Sequence, residues 1–133
     1  MEKYKLEIFI PKTHLKQLQT TLQNVDAGHI GNYDSCLSYS EVIGTWRPLD
    51  KSKPYSGKCH KISQEPEMKV EVRVNAANLN KTIQAIKKIH PYEEPVINVI
   101  PLIDINEIWK MPTSLILGNI FSLLSAICLA VSV

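Results

Sequence analysis

The chain has 133 residues, 44% of them apolar and 21% charged, with a formal net charge of +2. That length fits one domain of ordinary globular composition, and the composition excludes a disordered or low-complexity chain. The charge is too small, and the lysines too dispersed, for a nucleic-acid partner to be expected.

Tyr4-Lys5-Leu6-Glu7-Ile8-Phe9-Ile10 alternates apolar and polar residues and predicts a first strand. No apolar leader precedes it, so no signal peptide is expected. Pro11 and Thr13 read as a helix start, with Thr13 as N-cap. Leu15, Leu18, Leu22 and Val25 then recur at helical spacing. Gly28 is suited to the left-handed position that ends this helix.

A loop rich in glycine follows, Gly28 to Ser35. Residues 36–46 predict an interrupted strand with Gly44 near its end. The polar stretch Asp50 to Lys61 predicts a long hairpin loop, on whose surface Cys59 and His60 sit. Met68, Val70, Val72 and Val74 alternate with Lys69, Glu71 and Arg73, a strand with one face in a core and one in water. Asn75 is placed to cap a second helix with an apolar stripe of Leu79, Ile83, Ile86 and Ile89, stopped by Pro91. Val96 to Ile103 predicts the last strand, and Pro101 indicates that its far end is at a sheet edge or leaves the sheet.

The order βαββαβ predicts an α+β, ferredoxin-like domain over residues 1–104: a four-stranded antiparallel sheet with two helices on one face. Such a sheet leaves one face and two edges open, a physical reason to expect self-association. Cys36, Cys59 and Cys128 have no paired spacing and read as reduced thiols in the cytoplasm.

Residues 105–133 differ in character. The stretch 111–133 carries no charge, and its 23 residues would span about 34 Å as a helix, against a bilayer core of roughly 30 Å. Three readings are open for this apolar, helical tail: a membrane anchor or contact, a helix packed on the protein, or an extension without a role.

Three segments carry candidate chemistry. In Gly28 to Cys36, the residues His29, Asn32, Tyr33 and Asp34 could line a ligand pocket, or His29 could simply brace the turn. In Gly44-Thr45-Trp46-Arg47-Pro48-Leu49, Arg47 could hold a carboxylate or phosphate, or pair with Glu93 or Glu94. In His90-Pro91-Tyr92-Glu93-Glu94-Pro95, the prolines and Tyr92 explain a rigid corner. His90 with Glu93 or Glu94 could also face a cleft and bind a cation or an amine. The imidazole and two carboxylates of that corner suit zinc or copper in ligand type, and a divalent metal could also be held by His29, Cys36 and His90 or Glu93, provided that loop and corner meet in space. No nucleophile activated for catalysis is visible, so no enzyme activity is expected.

Together these three motifs, covering roughly residues 4–103, resemble the YqfO-type, PII-like inserted domain of the NIF-three-like family. The last motif also resembles a corner of CutA proteins. The resemblance implies a ferredoxin-like fold, a trimer-prone surface, and a small-ligand or metal-binding regulatory role, with a CutA-type divalent-metal protein as the alternative. In full-length family members this domain sits within a larger core that carries a two-metal site. The ligand motifs of that core have no counterpart here, so a cyclohydrolase-type hydrolase is the weakest expectation.

Overall fold

A computed structural model describes residues 2–103 and 105–108. The chain divides into two units, Met1–Leu102 and Ile103–Val133. Of the second unit, a four-residue helix, Ile105–Ile108, is described. The tail 111–133 lies outside the described residues. Among those described, no helix is long and apolar enough to cross a membrane.

The first unit runs β1 (Lys3–Ile10), α1 (Leu15–Asn24), β2 (Leu37–Trp46), β3 (Ser63–Asn75), α2 (Ala76–Ile89) and β4 (Ile97–Leu102). The strands form one sheet in the order β2-β3-β1-β4, with all three pairings antiparallel. This is the expected ferredoxin-like plan. β4 is an edge strand, so Pro101 sits where a missing N–H is tolerated.

The core lies between this sheet and both helices. Leu6, Ile8 and Ile10 of β1, and Met68, Val70, Val72 and Val74 of β3, meet Leu18 and Leu22 of α1 and Ile86 of α2, all buried. Apolar side chains at every second strand position meet side chains at spacings of three and four on the helices, which is why one layer of each suffices. The stripe of α2 is rotated from the expected one. Thr82 is fully buried and Ile83 only half-buried, because the Thr82 hydroxyl donates to the Asn78 carbonyl at 2.6 Å and enters the core satisfied.

Local chemistry alters three expected boundaries. Pro11 opens a short 3-10 turn at Lys12–His14, so His14 rather than Thr13 occupies the α1 N-cap. At the other end of α1, Asp26 takes the left-handed position with φ 59°, not Gly28. The Ala27 N–H reaches the Leu22 carbonyl at 2.9 Å and the Asp26 N–H reaches the Gln23 carbonyl at 3.0 Å, the paired bonds of a Schellman end. β3 also begins earlier than its alternation suggests, at Ser63, because β2 pairs with it from Leu37 to Trp46 without interruption.

The helix-free face of the sheet is polar along its middle. Glu7 faces Lys5 at 3.5 Å and Lys69 at 3.4 Å, and Lys5 reaches Glu71 at 3.1 Å. The side-chain amide of Asn98 also donates to Glu7, and this bond together with the two lysines holds the Glu7 carboxyl below its ordinary pKa.

Candidate functional site

At one end of that face the polar ladder gives way to a cavity of about 560 Å³. Phe9 and Glu67 reach it from positions that alternate with the core residues Ile8, Ile10 and Met68. Gly44, Trp46 and Arg47 enter from the end of β2, Tyr55 from the β2–β3 loop, and Tyr92, Glu93 and Glu94 from the corner after α2.

The corner is built around His90. Pro91 ends α2, and His90 is its C-cap in extended conformation. The buried imidazole accepts the Tyr92 backbone N–H on Nδ1 at 3.2 Å, so its Nε2 carries the proton and donates to the Phe9 carbonyl at 2.7 Å. Burial, set against the Phe9 bond, depresses its pKa and favours this neutral tautomer.

Tyr92 then projects into the cavity, where its ring lies 6.3 Å from Trp46 and 5.9 Å from Tyr55, centroid to centroid. Its hydroxyl donates to Glu67 Oε2 at 2.9 Å. Burial first, and the Glu67 carboxylate second, push the phenol pKa far up, so Tyr92 stays a donor. Glu67 is itself buried, at 7% exposure. A Cβ at residue 44 would fall on the Glu67 carboxylate, so the glycine there makes the room that the carboxylate occupies. Tyr92→Phe is expected to lower stability by about 1–3 kcal/mol, since it leaves a buried carboxylate short of a donor. Denaturant titration would show this as a lower midpoint with an unchanged slope, and no shift would argue that Glu67 is satisfied from elsewhere.

The β2–β3 loop over the cavity is tied down at several points. The Lys53 backbone N–H donates to Glu93 Oε2 at 2.7 Å, the Trp46 indole donates to the Ser56 carbonyl at 3.0 Å, and the Ser56 hydroxyl donates to Glu65 at 2.7 Å. His60 contacts Asp50 at 2.7 Å. Arg47 is exposed and makes no ion pair with Glu93 or Glu94, contrary to one expectation. A loop amide sits closer to Glu93 and takes its oxygen instead.

The other half of the expected pocket is elsewhere. Gly28 is bonded through its N–H to the Arg73 carbonyl, near the C-terminal end of β3. Phe9, which holds His90, pairs with Lys69. Arg73 is four positions along β3 from Lys69, roughly 13 Å along the ladder. His29, Asn32, Tyr33 and Asp34 therefore lie outside the cavity, on an exposed turn closed by reciprocal Ile30 and Tyr33 backbone bonds of 2.8 and 3.0 Å. Cys36 lines a separate hollow of about 380 Å³ with Arg73 and Glu71.

The fold does not bring His29, Cys36 and His90 together, since the loop is held at Arg73 and the corner at Phe9. Both ring nitrogens of His90 are committed. Both of His29 face acceptors, Asp26 at 2.8 Å and the Gly31 carbonyl at 2.9 Å. The Asp26 bond, first, and the Gly31 carbonyl raise the His29 pKa, so both neighbours favour a proton on the ring over a metal. Among the described residues no three His, Cys, Asp or Glu side chains converge as a metal site.

Of the residues singled out in the sequence as ligand-binding, Arg47, Tyr92, Glu93 and Glu94 line this cavity; Glu67, Trp46, Tyr55 and Gly44 also line it and were not singled out as such. A signal was present for Gly44, a glycine inside a strand, which often marks a close approach of another group.

Comparison with known proteins agrees with this architecture. A "GTP cyclohydrolase 1 type 2 homolog" of Halalkalibacterium halodurans is 40% identical over 99 residues, which are 74% of this chain and 27% of that protein. The crystal structure of a Bacillus cereus protein related to NIF3 superposes with a TM-score of 0.69 at 33% identity, over 77% of this chain and 26% of the other. Over about three quarters of its length the chain is similar to a segment of these NIF3-related proteins. It spans about a quarter of these relatives' length. The family model described as "CutA1 divalent ion tolerance protein" matches residues 57–110. The PII-like protein CutA from Nostoc shares the fold, with a TM-score of 0.56 at 20% identity over 80% of this chain and 85% of that one.

Proposed function

We propose that this PII-like domain is a regulatory module that binds a small ligand in the Trp46–Glu67–Tyr92 cavity and works as a self-associated assembly, a trimer in the first instance. One observation carries the reading: the long β2–β3 loop is fastened to the cavity wall through Lys53 N–H and Glu93. A ligand entering beside Glu93 competes with that bond, so occupancy is coupled to the conformation of an exposed loop that a partner can read. The volume, about 560 Å³, falls within the usual range for small-molecule sites.

The CutA-type divalent-metal alternative is weaker, since His29 and His90 have no free ring nitrogen to offer. The cyclohydrolase name of the longer relatives is not carried over, because the match is confined to about a quarter of them. The free thiols of Cys36 and Cys59 fit a reducing compartment.

Sedimentation velocity of the full chain at tens of micromolar, in mild detergent to suppress association through the apolar 111–133 segment, tests the assembly. A trimer is expected. A strict monomer that neither zinc nor ADP alters, and whose melting neither shifts, would overturn the reading.

A further inference from the structure

The charge balance of the cavity selects among ligand classes. Its lining holds the carboxylates of Glu67, Glu93 and Glu94 against one guanidinium, Arg47, a formal −3 + 1 = −2. Two of those carboxylates are partly engaged, Glu93 by the Lys53 N–H and Glu67 Oε2 by Tyr92. The remaining oxygen of Glu67 lies beside Gly44, takes no protein donor among the described residues, and is open to the cavity. A carboxylate oxygen that faces a cavity and has no protein donor can accept an N–H, or meet a positive charge, brought by a ligand.

The rest of the lining is aromatic. Trp46, Tyr55 and Tyr92 form a continuous group with centroid spacings near 6 Å. Electron-rich rings attract cations and cover apolar surface at once. A di- or triphosphate would instead add negative charge to a site that already has an excess of it.

Resting on the ligand-binding reading above, we propose that the cavity takes a small organic cation, an ammonium group on an apolar or aromatic body. The ammonium sits at Glu67 and the body lies among the Trp46, Tyr55 and Tyr92 rings. Glu93 and Glu94 supply the field that draws it in.

Titration of the full chain with benzyltrimethylammonium, followed by the Trp46 indole N–H resonance, tests this. Saturable binding is expected, at least tenfold tighter than that of neutral benzyl alcohol, with no response to ADP at the same resonance. Glu67→Gln keeps an oxygen for the Tyr92 hydroxyl and removes the charge, and should weaken the cation at least tenfold. Should that variant fail to fold, Glu94→Gln, at an exposed position, should weaken it about twofold. Equal affinity for cation and neutral probe, or unchanged cation binding in the folded charge variant, would overturn the proposal. If ADP moves the resonance and the cation does not, the cavity binds ligands but the cation assignment is wrong. If no probe moves it, both readings fall.

Discussion

Gly28→Ala is expected to lower stability by about 2–4 kcal/mol, the sum of a backbone cost and a collision. Gly28 has φ +76°, and an L residue there costs roughly 1–2 kcal/mol. A Cβ at this position would also lie 2.5 Å from the Cys36 carbonyl oxygen. That oxygen belongs to the main chain and cannot swing aside, so the backbone must shift. The shift strains the bonds that hold the loop, Gly28 N–H to Arg73 at 2.8 Å and Cys36 N–H to Gly28 at 2.9 Å. Gly31 provides the internal comparison: its φ is +58°, but nothing lies within 4 Å of its Cβ direction. Gly31→Ala should show the backbone cost alone, about 1–2 kcal/mol. Thermal unfolding of both variants separates the two contributions, with Gly28→Ala melting roughly 10–20 °C below the parent chain. Equal losses at the two positions would mean that the close approach to Cys36 is absent.

His90→Ala is expected to cost about 2–4 kcal/mol and to change how stability depends on pH. The substitution leaves the Phe9 carbonyl and the Tyr92 N–H without their partner, inside a corner that also aims Tyr92 at Glu67. The pH effect has a definite sign. Burial lowers the folded-state pKa of His90, so the unfolded chain binds the proton more readily. Its contribution is fully present above the unfolded pKa, about 6.5, and is lost as pH falls through that value towards the folded one. His14 opposes protonation of His90, Glu67 favours it, and the Phe9 carbonyl accepts its N–H. His29 has its pKa raised and therefore contributes in the opposite direction, its stabilisation fading as pH rises. The measurement is consequently a difference: denaturation midpoints of the parent and of His90→Ala between about pH 5 and pH 7.5. The parent should lose stability towards acid more steeply than the variant. Parallel curves would show that His90 does not titrate in this window.

The two substitutions probe opposite ends of the sheet, and that separation decides which residues can cooperate. In the sequence, the loop after α1 and the corner after α2 look equally suited to a ligand, with a histidine in each. In the fold, the loop is fastened at Arg73 and the corner at Phe9. One becomes a braced surface turn in which both His29 ring nitrogens face acceptors. The other becomes the wall of a cavity with a neutral, buried His90.

What the sequence determined by itself was the set of elements and the plane of the core. Alternation at Leu6, Ile8 and Ile10, and from Met68 to Val74, together with helical spacing at Leu18, Leu22 and Ile86, is a local property of the chain, and the buried residues follow it. The rigidity of the corner was legible for the same reason, since Pro91 and Pro95 act on their own backbone. What only the tertiary structure decided were the partners. Glu67 is a surface residue by alternation, yet it is buried because a tyrosine 25 positions away supplies a hydroxyl and a glycine in the neighbouring strand yields the space. His90 is a metal ligand by composition, yet its lone pair is taken by its own corner and its N–H by a carbonyl 81 positions away. Charge and hydrogen-bonding capacity are written in the residue, but which groups use them depends on contacts between segments far apart in the chain, and those exist only after the sheet has assembled.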